Sequence, residues 1–124
     1  MNGTKYLLDT NAIIALLNGD DTIEEKLQIA EWIGTSVVCI IEFLSFYALT
    51  ANDKNLLQKL IQRIEVIPIE NSLPELMQVA LLRRQTRLKL PDAVIAATAI
   101  KHNARLITND KHFIAISNLS VTTF

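Results

Sequence analysis

Five short aliphatic or β-branched runs are spread through the 124 residues of the chain, and their spacing limits the folds open to it: KYLLD (5–9), SVVCI (36–40), EVIPI (65–69), RLITN (105–109) and LSVTT (119–123). Runs of this length and composition suit buried strands. The residues between them repeat at helical spacing instead. Thr22 with Glu25 forms a capping-box start, followed by Ile23, Leu27, Ala30 and Ile33 at helical intervals. Asp53 opens a segment whose Leu56, Leu57, Leu60, Ile61 and Ile64 trace one stripe. Ser72 with Glu75 repeats the capping signature ahead of helical segments over 72–87 and 90–103. Strands separated by helices require right-handed crossovers. The expected fold is therefore α/β: a three-layer α/β/α sandwich with a central, mostly parallel sheet of about five strands, as one domain over 1–124. With three glycines, three prolines and no repeat, the chain offers no linker to divide it.

Half the residues are hydrophobic, but the apolar runs VVCII (37–41) and AVIAATAI (93–100) fall well short of the roughly 20 residues a membrane span needs. The first residues, MNGTKYLLD, lack a secretory pattern, and a cytoplasmic protein without membrane partners is expected. Cys39, the single cysteine, has no partner for an intrachain disulfide and sits between Val38 and Ile40, as a small buried hydrophobe would. A formal net charge of −1 neither requires nor excludes a nucleic-acid partner.

Ligands of such folds bind beyond the carboxyl ends of the strands, where helix N-termini also gather. Asp9 ends the first run, and Glu42 follows the second by two residues, at the expected start of a helix through EFLSFYAL. Asp92 follows Pro91 in a first helical turn, and Asp110 ends the fourth run. Four acids from distant segments are thus expected at one edge. Two carboxylates about 5 Å apart repel by roughly 3 kcal/mol at an effective dielectric near 20, so such a group calls for a cation. Oxygen ligands favour Mg²⁺, with Mn²⁺ as a substitute, and metal-activated water hydrolysing a phosphodiester is the implied chemistry. Thr10, Asn11, Thr108 and Asn109 flank the acids and could orient them. The competing reading makes each acid a separate helix cap in a non-catalytic binding module.

An aspartyl-phosphate phosphatase would want a second acid two residues after Asp9, where Asn11 stands. His102 and His112 lie beside Lys101 and Lys111 and lack the paired spacing of zinc ligands, as surface residues would. RNA contacts, if the substrate is RNA, would come from Arg83, Arg84, Arg87, Lys89 and Lys111, with Lys101 and Arg105 on the same flank as Lys111. Aromatics make up only 6% of residues, so no base-stacking platform stands out.

The order LLDTN, then Glu42, then LPDAVIAATA, then LITND followed by KHF resembles the PIN-domain family, in particular the VapC-type toxins of bacterial toxin–antitoxin pairs. The resemblance spans nearly the whole chain. It implies a metal-dependent endoribonuclease whose acids match Asp9, Glu42, Asp92 and Asp110, with Thr108 as the hydroxyl residue two positions before the last. It further implies a homodimer inhibited by a small antitoxin whose tail occupies the acidic site.

Overall fold

The computed structural model describes residues 3–124; Met1 and Asn2, the start of the expected 1–124 domain, lie outside the described residues. Its strands are β1 (Lys5–Leu8), β2 (Trp32–Ser36), β3 (Glu65–Ile67), β4 (Arg105–Ile107) and β5 (Val121–Thr122), and its helices are α1 (Thr10–Leu17), α2 (Asp21–Gln28), α3 (Val37–Leu44), α4 (Ala51–Ile61), α5 (Leu73–Gln85) and α6 (Leu90–Lys101). The strands form one sheet in the order β3-β2-β1-β4-β5, and every neighbouring pair is parallel. This is the expected α/β/α architecture. Leu7, Leu8, Leu106 and Ile107 of the central strands are fully buried, as are Ile13 of α1 and Ile95 of α6. Each such side chain contributes roughly 1.5–3 kcal/mol by leaving water.

The strand order fixes where a site can form. The chain begins at β1 in the centre, steps outward to β2 and β3, then returns to lay β4 on the other side of β1. The crossovers therefore reverse direction between β1 and β4, and the chain leaves a crevice beyond their carboxyl ends. Asp9 follows β1 directly, and Asp110 follows β4 at the N-cap of a short 3₁₀ turn, Lys111–Phe113.

The second strand departs from the sequence reading. SVVCI is not a strand: Ser36 ends β2 and its hydroxyl accepts from Val38 N at 3.1 Å, so the β-branched run winds into α3. The strand is WIGTS, which a glycine had masked. At Gly34 a Cβ would stand 2.3 Å from the Trp32 ring, so only glycine lets that indole lie over β2. Ile33 belongs to this strand, not to the preceding helix. That helix, α2, is capped by Asp20, whose carboxylate accepts from Ile23 N, and ends at Gln28, so neither Thr22 nor Ala30 plays its expected part. Thr50 caps α4 with Asp53 in a reciprocal capping box, placing Asp53 in the first turn instead of at the opening. Ser72 caps α5 without a side-chain hydrogen bond, and Glu75 turns to Lys101 instead of completing a capping box. Among the described residues, no helix is long and apolar enough to cross a membrane.

Candidate active site

The register that pairs Leu8 with Ile107 brings the next residues, Asp9 and Thr108, side by side. Asp9 is 5% exposed and Thr108 fully buried, so both need polar partners. Thr108 Oγ1 donates to Asp9 Oδ2 at 2.7 Å and accepts from Asp110 N at 3.0 Å. Asp9 Oδ1 accepts from Thr10 N at 2.8 Å, so Asp9 does cap α1. Asn11 spans the crevice: its Nδ2 lies 3.5 Å from Asp9 Oδ2 and 3.4 Å from Thr108 Oγ1, while its Oδ1 accepts from Asn109 N. Asn109 in turn accepts from Phe124 N at 2.8 Å, tying the loop after β4 to the residues after β5. The polar residues flanking the acids thus form one hydrogen-bonded frame around Asp9.

Glu42 stands in the second turn of α3, six positions past the end of β2. It is not at a helix start, as the misplaced strand had implied, and from that position it caps nothing. It nevertheless faces the crevice, accepting from Thr10 Oγ1 at 2.7 Å. Asp92 lies in the first turn of α6, next to Pro91, as expected. Asp110 accepts from His112 N at 2.9 Å, and His112 Nδ1 lies 2.8 Å from the same oxygen. Burial raises the Asp9 carboxyl above its ordinary value of 3.8; the hydrogen bonds from Thr108 and Thr10 pull against this, and the charges of Glu42 and Asp110 push with it. The Asp92 carboxyl is raised by burial first and then by the charges of Asp110, Asp9 and Glu42, with His112 opposing. Asp9 and Asp92 thus each feel the charge of the other acids, while among the described residues the group of donor atoms close enough to share an ion includes Asp9 and Glu42 but not Asp92 or Asp110.

Cys39 was placed in the core by its neighbours, and it is fully buried. Its position in the crevice was not anticipated. Sγ lies 3.8 Å from Asp9 Oδ1, and single donor atoms of Asp9, Cys39 and Glu42 all fall within 4.8 Å of one another. Burial, with the charge of Asp9 adding, pushes the thiol up to about 12, so without an ion it stays protonated at neutral pH. The remaining donors are carboxylate oxygens that repel one another, a set that fits a hard divalent cation. Cys39 precedes Glu42 by three positions, a helical spacing that could have revealed its shared face.

The basic residues divide. Arg83 and Arg84 are exposed at the end of α5, Arg87 is exposed in the connection, and Lys89 is the N-cap of α6, three residues before Asp92. Lys111 is exposed beside Asp110. Lys101 and Arg105 differ from the expectation. Lys101 ends α6, about 13 Å along the helix from Asp92, and binds Glu75 at 2.6 Å. Arg105 opens β4 and is spent on Thr122 Oγ1 and Val121 O. His112 is exposed, as expected, but His102 is half-buried and stacks on Trp32 with ring centroids 5.2 Å apart. A cavity of about 370 Å³ between α5, α6 and the residues after β3 includes none of the four acids.

Several solved structures share this architecture over almost the full chain. A chain of VapBC2 from Rickettsia felis, bound to a DNA fragment from their promoter, superposes with a TM-score of 0.81 at 24% identity, covering 98% of this chain and 99% of that one. A toxin–antitoxin complex from Klebsiella pneumoniae gives a TM-score of 0.77 at 29% identity, with 95% and 96% covered. DNA-bound VapBC from Salmonella typhimurium gives 0.79 at 18% identity, with 97% and 98% covered. No curated protein matches the sequence. The PIN domain family model matches residues 6–119, nearly the whole length over which the crevice and its supporting sheet are built, and the chain belongs to the PIN domain family.

Proposed function

We propose that the protein is a Mg²⁺-dependent endoribonuclease, with Mn²⁺ as a substitute ion, and that it is the VapC-type toxin of a toxin–antitoxin pair acting in the cytoplasm as a homodimer. The nuclease reading is supported above all by Asp9 and Glu42, whose donor atoms fall within 4.8 Å of one another beside Cys39, and by the Asp9 and Asp92 carboxyls, raised partly by the charge of neighbouring acids. Capping explains Asp9 and Asp110 in part, since both accept from backbone N–H groups. It does not explain Glu42, which sits inside α3 and is turned toward Thr10. The toxin reading is supported by the toxin–antitoxin and VapBC complexes among the structural neighbours.

In this reading the carboxylates of Asp9, Glu42, Asp92 and Asp110 hold the ion. When bound, it supplies a more acidic water and positive charge against the phosphoryl oxygens. The chain's own contribution is orientation. Thr108 fixes one oxygen of Asp9 and Thr10 fixes Glu42, so neither carboxylate has to be ordered when substrate arrives. Asn11 holds the Asp110 loop against Asp9 through Asn109 N. Arg83, Arg84, Arg87, Lys89 and Lys111 are the cations we assign to the RNA backbone, and Lys89 leads directly into the helix that carries Asp92.

The test is cleavage of total RNA by purified protein, with and without Mg²⁺, for wild type and Asp9→Asn. Cleavage by wild type in Mg²⁺ alone, and none by Asp9→Asn, is expected. Cleavage that persists in chelator, or a wild type that is inert with either ion and whose melting temperature ignores them, would favour a binding module whose acids serve as caps.

A further inference from the structure

Cys39 is a buried nucleophile for which the nuclease chemistry has no use, and its place in the fold is specific. It lies on the face of α3 that also carries Glu42, one turn earlier, and its sulfur is directed at Oδ1 of Asp9 at 3.8 Å. The geometry points to Cys39 as a positioning residue for the ion site: its S–H donates to Oδ1 and, with Thr10 N on the same oxygen and Thr108 on Oδ2, fixes how Asp9 presents its remaining lone pairs. This role rests on the proposed ion-dependent function and gives the thiol a part in it that is neither ligand nor nucleophile.

A nearly buried carboxylate needs a donor on each oxygen. Oδ2 has a strong one in the Thr108 hydroxyl, whereas among the described residues the side-chain donor to Oδ1 is the thiol alone. A thiol is a weak donor, so its value lies in direction more than in strength. Being soft, it is also a poor ligand for a hard ion such as Mg²⁺, so it can sit beside the site without competing for the metal. Cys39 is fully buried, so the thiol meets Asp9 from the protein's interior.

The single cysteine gives the test a clean signal, because the S–H stretching band of this protein in the infrared reports Cys39 alone. In metal-free wild type the band should lie below the frequency of a thiol without a hydrogen-bond acceptor, and Asp9→Asn should move it. Calorimetric titration with Mg²⁺ and Mn²⁺ should show Cys39→Ala and Cys39→Val binding about tenfold more weakly than wild type, although Val fills the space that Ala leaves. A band at the free-thiol position that ignores Asp9→Asn would overturn the proposal. So would loss of the band on saturation with Mg²⁺ or Mn²⁺, which would make Cys39 a ligand. Wild-type affinity preserved in both variants would overturn this role alone, whereas a wild type that binds neither ion would overturn the ion-dependent function and this role together.

Discussion

Two groups of carboxylates in this molecule are treated in opposite ways. On the outer side of α5 and α6, Glu75 and Glu70 meet Lys101 at 2.6 and 3.8 Å, and the lysine's own pKa is raised, first by its hydrogen bond to Glu75. Those charges are largely solvated, and both glutamates share one lysine. At the other group, Asp9 is buried and Glu42, Asp92 and Asp110 are partly buried, and among the described residues no lysine or arginine bridges any of them. His112 alone pairs with one, Asp110, on its exposed side. In the proposed function, the positive charge that Lys101 supplies to Glu70 and Glu75 is left, at the four acids, to be provided from outside.

The largest difference between the two groups should appear in catalysis. Asp9→Asn or Asp92→Asn should lower Mg²⁺-dependent RNA cleavage by about a thousandfold or more, because an amide replaces a charged ligand. Both variants should remain folded and soluble, since Asn keeps capping ability and the α6 core that follows, with Ile95 and Ala96 fully buried, is untouched. Glu75→Gln should leave cleavage unchanged and move the melting temperature by no more than about two degrees, as for a solvated pair. Equal activity in Asp92→Asn and wild type would erase the distinction.

Metal response is the next largest effect. At about a hundred times its Kd, an ion bound only by the folded state adds about 2.7 kcal/mol, roughly 10 °C for a chain of this size. Wild type and Glu75→Gln should both show that rise, and Asp9→Asn should not. A rise that follows Glu75 instead would relocate the site.

A smaller effect is carried by pH. The carboxyls of Asp9 and Asp92 are raised above 3.8 in the folded protein, so in that window the native state binds more protons than the unfolded chain. Their stabilising contribution is complete below the unfolded value and is lost as pH rises through the native ones. In chelator, wild type should therefore lose stability relative to Asp9→Asn as pH rises above about 4, and saturating Mg²⁺ should remove the difference. Melting curves that run parallel across that range would speak against the strain at Asp9. The smallest expected effect is that of Arg84→Gln, which should weaken RNA binding uniformly and reduce the salt slope by about one unit, with kcat unchanged.

Much of the fold could be read from the chain because most elements obey local rules. The runs at 5–9, 65–69, 105–109 and 119–123 each contain a strand, and Pro91 marks the first turn of α6. The second strand failed because two local signals pointed the wrong way. Val37, Val38, Ile40 and Ile41 favour strands by their branching, yet Ser36 caps them into a helix; Gly34 looks like a break, yet it makes room for Trp32. Glu42 still reached the crevice, since α3 begins at the same sheet edge at which a later helix was expected to begin. The frame of Thr10, Asn11, Thr108 and Asn109 was visible as composition, but its connections were not, because they depend on the parallel register that sets Thr108 beside Asp9. Cys39 was hidden for the reverse reason: a buried thiol in an apolar run looks the same whether it faces a methyl group or a carboxylate.

Calorimetric titration of the metal-free protein with Mg²⁺ at about pH 5 to 6, in two buffers of different ionisation enthalpy, addresses the crowded acids most directly. Because burial and neighbouring charge raise the Asp9 and Asp92 carboxyls and a bound ion would lower them again, the apparent heats should differ between buffers in proportion to the protons released, and the difference should shrink in Asp9→Asn. Binding with identical heats in both buffers, or no binding at all, would contradict a site in which four carboxylates share one external cation.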